Sequence, residues 1–140
     1  MYKDNLDSLY TLREFYIITD KKKISENIKK NLIELFPSNN KKTYILKIEG
    51  LSETSGSVSD SSRKISRYKN QVSANVKVYY RQKKYDKLIY EFNEKRDASY
   101  SLVLNNIRSA IASKKKAELT STRLLSEEIY NRLLVFLSKN

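Results

Sequence analysis

Tyr68-Lys69-Asn70-Gln71-Val72-Ser73-Ala74-Asn75-Val76-Lys77-Val78-Tyr79-Tyr80-Arg81 is the stretch on which the fold turns. Tyr68, Val72, Ala74, Val76, Val78 and Tyr80 alternate with Gln71, Ser73, Asn75, Lys77 and Arg81. Successive side chains of an extended chain point to opposite faces, so one face is core and the other is wet. At about 3.3 Å per residue such a strand reaches about 45 Å. Just downstream, Leu88, Tyr90 and Phe92 alternate with Lys87, Glu91 and Asn93. The short polar link Gln82 to Asp86 makes the two strands an antiparallel hairpin, although it lacks the Gly common at such turns.

Upstream, Phe15-Tyr16-Ile17-Ile18 is short, β-branched and aromatic, the composition of a strand buried on both faces. Asp20 can cap orphan amides, after which Ile24, Ile28, Leu32, Leu35 and Phe36 recur at helical spacing until Pro37 stops the pattern. Thr43 to Leu51 then places Tyr44, Leu46 and Ile48 on one face of a strand and Lys47 and Glu49 on the other. Ser52 to Ser62 holds six Ser, Gly56 and no bulky side chain except Val58, so a mobile loop is expected over about 52–62. A flexible N-terminus is expected over about 1–9.

Downstream, Asn105 to Ser138 contains neither Pro nor Gly. Ile107, Ala110, Ile111, Ala117, Leu124, Leu125, Ile129, Leu133 and Phe136 form a stripe near the helical period. The expectation is one long helix over about 105–138, or two with a break near Lys114 to Lys116. Its full span, roughly 50 Å, matches the long strand. A stripe of that length needs an equally long sheet to cover it. The chain therefore reads as a single α+β domain over 1–140: an elongated two-layer sandwich, β-α-β-β-β-α, with two helices on one face of a four-stranded mixed sheet. Its β-α-β start is expected to be a right-handed parallel crossover.

Composition removes most familiar chemistry. The 140 residues include no Cys and no His, which excludes zinc fingers, iron–sulfur ligand sets, Cys–His nucleophiles and Ser–His–Asp triads. Only Gly50 and Gly56 are present, too few for a phosphate-cradling loop or a dinucleotide fingerprint. Glu127-Glu128 reads as solvated surface, and no paired carboxylates sit in a motif. The expectation is a protein that is not an enzyme and needs no cofactor or metal. No segment approaches the roughly 20 apolar residues that span a bilayer, the longest apolar run being Leu133 to Leu137.

The net charge is +12, spread along the chain rather than gathered in a tail. Such an excess fits an anionic partner: nucleic acid, an anionic membrane or a phosphorylated glycolipid. It fits equally a bias in nucleotide composition, because Lys, Asn, Ile and Tyr are abundant throughout. Tyr79, Tyr80, Tyr85, Tyr90 and Tyr100 interleave with Arg81, Lys83, Lys84, Lys87 and Lys95, a mixture able to stack bases and grip phosphates. Tyr is also an ordinary strand residue and Lys an ordinary edge-strand charge. Of the basic clusters, Arg63-Lys64-Arg67 stands out, since it joins the serine segment to the long strand and can offer guanidinium forks to phosphate.

Several stretches together resemble the LptE family of lipopolysaccharide-assembly lipoproteins. They are Ser66-Arg67-Tyr68 through Val72-Ser73-Ala74-Asn75-Val76-Lys77-Val78-Tyr79-Tyr80, then Ala98-Ser99-Tyr100-Ser101, then Ala117, and finally Leu124-Leu125-Ser126-Glu127-Glu128-Ile129-Tyr130-Asn131-Arg132-Leu133. The similarity covers roughly Leu9 to Leu137. It implies a non-enzymatic subunit on the periplasmic side of the outer membrane, one that plugs an LptD-like β-barrel, assists its assembly and binds lipopolysaccharide. It also implies lipopolysaccharide contacts from basic residues before the long third strand, matched by Arg63 or Lys64, and near the start of the last helix, matched by Arg108. With Arg67 these form the candidate binding set, and lipid A phosphates are the groups they would neutralise. Nucleic acid is no partner in this reading; a small basic nucleic-acid-binding domain is the alternative. The family's signal peptide and lipid-bearing Cys have no counterpart in the chain. Tyr2-Lys3 resembles the residues that come after that Cys in the family, and Met1 is expected to stand in place of a removed or mis-assigned leader.

Overall fold

The computed structural model describes residues 14–36, 43–58, 65–103 and 107–139. The chain runs β1 (Phe15–Thr19), α1 (Lys23–Leu35), β2 (Tyr44–Val58), β3 (Ile65–Arg81), β4 (Asp86–Val103) and α2 (Ile107–Lys139). The four strands form one sheet in sequence order. β1 pairs parallel to β2, while β2–β3 and β3–β4 are antiparallel, so the sheet is mixed. Both helices cover one face, and the architecture is the α+β sandwich read from the alternation.

Register places Ile48 opposite Val76 and Val76 opposite Phe92, a continuous apolar row across three strands. Ile28 and Leu32 of α1 and Leu125, Ile129 and Leu133 of α2 close over this row and are buried with it. The 3.6-residue period aligns Ala117, Ser121, Leu125, Ile129 and Leu133 on one side of α2, and all five are buried. The helix runs 33 residues without interruption, so no break falls at Lys114 to Lys116. Ile111, assigned to the stripe by spacing, is instead 64% exposed.

Several expectations are corrected by the pairing. β1 is an edge strand with a single covered face: Phe15 and Ile17 are buried while Tyr16 is 42% exposed. The expected loop over 52–62 is strand as far as Val58, because every residue from Ser52 to Val58 has a partner in β3. The buried Asn70 side chain reinforces this pairing, its amide donating to Ser52 Oγ at 3.0 Å and to the Glu53 carbonyl at 3.4 Å. Residues 59–64 and the N-terminal stretch 1–13 lie outside the described residues. β4 extends ten residues beyond Asn93, to Val103.

A bulge explains the one break in alternation. Val78 pairs with Tyr90 but Tyr79 pairs with Leu88, leaving Ile89 as the extra residue. Ile89 and Tyr90 therefore both reach the core, and Leu88, expected inside, is 45% exposed. Tyr90 stacks on Phe136 of α2, with ring centres 4.3 Å apart.

The α1 entry uses local polar contacts. The Lys22 amide donates to Asp20 Oδ1 at 3.1 Å and the Lys21 amide to Thr19 Oγ1 at 3.2 Å, which holds Lys21 in the left-handed region at φ 72°. Asp20 thus caps the turn before the helix, while Lys22 at the N-cap has no side-chain capping bond. Along β4, where apolar partners for α2 give out, ion pairs replace them. Arg132 Nε lies 3.4 Å from Glu94 Oε2, and Arg96 Nη2 lies 3.1 Å from Glu128 Oε2. Glu128, read from sequence as plain surface, ties the helix to the edge strand; Glu127 pairs with Arg123 along the helix.

The sheet's other face carries no helix among the described residues and is polar. Asn75 Nδ2 donates to Glu91 Oε2 at 3.0 Å and Asn93 Oδ1 at 2.9 Å, and Lys47 pairs with Glu49 at 3.5 Å.

Candidate anion-binding site

The β2–β3–β4 ladder has two ends. At the near end Phe15, Tyr44 and Tyr80 meet, with stacking of Phe15 on Tyr44 at 5.0 Å. At the far end the ladder closes with Val58 opposite Ser66 and Ile65 opposite Val103. The far end holds side chains that the sequence marks out as anion ligands.

Gly56, Tyr68 and Tyr100 stand in one row across the three strands. Tyr68 lies over Gly56: a Cβ built there would sit 2.5 Å from Tyr68 Cδ1 and Cε1, so only glycine admits the ring. Tyr68 in turn stacks on Tyr100, centroids 5.5 Å apart and planes 18° apart. Burial, with the neighbouring Tyr68 as a lesser cause, pushes the Tyr100 hydroxyl above the ordinary phenol range.

The next row sets Ser55 and Ser99 on either side of Lys69. Two small side chains flanking a long one leave room, and a depression of about 510 Å³ is lined by Ser55, Gly56, Arg67, Tyr68, Lys69, Ser99 and Tyr100. Its lining offers hydroxyl donors, a guanidinium, an ammonium and no carboxylate. Asp97 lies 3.9 Å from Lys69 in an exposed pair, which a stronger anion can displace at little cost. Phosphate is the ligand chemistry such a lining matches. A larger depression of about 600 Å³ over Gly50 and Ala74 is lined by Glu49 and Glu94 as well as Lys22 and Lys95, and so favours neither sign of charge.

Of the four basic residues expected to bind, Arg67 lies in this depression. Arg63 and Lys64 lie outside the described residues, directly before Ile65 at the same end of β3. Arg108 is in the first turn of α2, which starts four residues after β4 ends at Val103 opposite Ile65. Topology thus brings the helix start to the end of the sheet that carries Arg67. The Arg108 side chain is outside the described residues. Sequence reasoning did not pair Tyr68 with Tyr100 or pick Lys69, Ser55 and Ser99. The signal was available only through register, once β4 is carried on to Val103. Among the described residues, no group of three or more acidic, His or Cys side chains is placed to hold a metal ion, and no helix is long and apolar enough to cross a membrane.

No protein-family model matches the chain, and no curated protein is similar to it in sequence. In fold it is similar to a candidate lipoprotein from Caulobacter crescentus CB15, with TM-score 0.76 over 97% of this chain and 99% of that one at 10% identity. It is also similar to the minor lipoprotein from Acinetobacter baumannii, with TM-score 0.63 over 86% and 90% at 11% identity. At such identities the likeness concerns fold. Rare lipoprotein B from Shewanella oneidensis aligns over 89% and 93% at 12% identity with TM-score 0.47, a looser match that adds nothing to the fold assignment.

Proposed function

We propose that this chain is a non-enzymatic, LptE-like subunit of the outer-membrane lipopolysaccharide assembly machinery, which seats in an LptD-like β-barrel and binds lipopolysaccharide at the far end of its sheet. The observation that carries this reading is the far-end depression, where Arg67 and Lys69 stand with the Ser55 and Ser99 hydroxyls and no carboxylate is in the lining. Arg63, Lys64 and Arg108 belong to segments that join the fold at the same end.

In mechanism, guanidinium and ammonium groups neutralise a lipid A phosphate while Ser55 and Ser99 hydroxyls donate to its oxygens. No bond is made or broken. The helix-free face suits the wet interior of a barrel, because its Asn75 amide and Lys47 are already partnered by neighbouring strands or residues. A fold in common with bacterial lipoproteins agrees with an envelope location.

The test is to co-express the chain, preceded by its natural leader, with the barrel subunit encoded in the same genome and to purify from detergent extract. A stoichiometric complex is expected. Two folded proteins that do not associate would refute the plug role.

A further inference from the structure

The near end of the sheet carries a second basic surface that the far-end site does not use. β2 begins at Tyr44 opposite Tyr80, and the Arg81 amide donates to the Thr43 carbonyl at 3.0 Å. Past Arg81 the β3–β4 hairpin has no further strand beside it among the described residues, and every residue from Arg81 to Leu88 is exposed. Lys83, Lys84 and Lys87 crowd this tip, with Asp86 as its one acidic side chain.

Between the lysines stand two large side chains that a purely solvated turn would not need. Tyr85 is 65% exposed and Leu88 45% exposed. Leu88 is outside because the bulge at Ile89 turns it there. Cations around a protruding aromatic and an aliphatic residue match the two layers of a membrane interface, anionic headgroups outside and the acyl boundary beneath. Where this tip sits strengthens the match. β1 starts at Phe15 beside Tyr44, at this same end, and α2 finishes here with Phe136 on Tyr90. One end of the domain thus gathers the hairpin tip, the start of β1 and the last turn of α2 with Lys139.

We propose that the β3–β4 hairpin tip docks on an anionic membrane surface, with Tyr85 and Leu88 entering the headgroup layer and Lys83, Lys84 and Lys87 neutralising lipid phosphates. The near end then faces the membrane, and the far-end depression faces away from it. This goes beyond the lipopolysaccharide reading and stands without it.

The test is co-sedimentation of the purified chain with vesicles of phosphatidylcholine alone and of phosphatidylcholine with about one-third phosphatidylglycerol, at about 0.1 M salt. Binding to the anionic vesicles only is expected. The triple variant Lys83→Ser, Lys84→Ser, Lys87→Ser should lose on the order of 100-fold in partitioning, Tyr85→Ser several-fold, and the exposed Lys115→Ser in the early turns of α2 nothing. Thermal melting verifies that the variants, all at exposed positions, remain folded. Equal binding of the parent and the triple variant would overturn the proposal, as would no preference for anionic vesicles. So would a tip that binds a single-stranded oligonucleotide and not vesicles. These vesicles contain no lipopolysaccharide, so loss of the far-end reading leaves the result unchanged.

Discussion

The Gly50 amide donates to the Ser25 hydroxyl at 2.8 Å, a bond from the middle of β2 to the first turn of α1. β1 stops pairing at Thr19 opposite Ile48, so Gly50 lies just past the end of that pairing, and the helix hydroxyl takes the strand's place. The approach is close: a Cβ on Gly50 would lie 3.0 Å from Ile28 Cδ1 and 3.2 Å from Ser25 Oγ. Ser25→Ala should therefore cost about 1–3 kcal/mol by leaving a buried amide unpaired. Gly50→Val should cost a similar amount through overpacking. Urea midpoints at constant slope measure both, and an unchanged midpoint for Gly50→Val would contradict the helix–sheet distance.

The same hydroxyl reaches Asp20. Burial works against the Asp20 carboxylate, but hydrogen bonds from Ser25 and the Lys22 amide, together with the Lys22 charge, hold its pKa below the ordinary carboxylate value. A carboxyl with a lower pKa folded than unfolded contributes stability above its unfolded value, about 4, and that contribution is lost as pH falls through the folded value. Melting temperature should thus drop less between pH 7 and pH 3 in Asp20→Asn than in the parent. Parallel losses would show that Asp20 carries none of the acid sensitivity.

Val76 is fully buried between Ile48 and Phe92 beneath the helices. Val76→Asp places an unpaired charge in that row and should abolish cooperative folding, because the desolvation cost rivals the whole stability of a domain this size. Lys77→Asp, one residue along and on the open face, should stay folded. Circular dichroism on the two variants tests the strand register directly.

At the far end, the combined Arg63→Ser, Lys64→Ser and Arg67→Ser variant should weaken lipopolysaccharide binding and leave the melting temperature nearly unchanged, since Arg67 is exposed and charges outside the core contribute little to folding. Ser99→Ala should weaken binding further by removing a hydroxyl donor beside Lys69. Titration against purified lipopolysaccharide separates the outcomes: full affinity in the triple variant would remove the site.

How far the sequence could be read depended on whether each signal was local. Val72, Val76 and Val78 announce their strand by period, and Ile28 and Leu32 their helix, because the signal and the structure share a few consecutive residues. Ser52 to Val58 has no such signal: it is strand because β3 supplies its hydrogen bonds and Asn70 ties it down. Leu88 was misplaced because a bulge is a property of two strands together. Glu128 looked like surface until Arg96 arrived from a strand more than 30 residues away.

Element types, their order, the two-layer arrangement and the core of the long strand were already legible in the 140 residues, because alternation and helical spacing follow from the geometry of single segments. Which residues share a row was not legible there. Tyr68 meets Gly56 and Tyr100, and Arg67 and Lys69 join a depression with Ser55 and Ser99, through pairing that spans tens of residues. A slip of one position would send each of those side chains to the opposite face, so the candidate site exists only once three strands have settled their register.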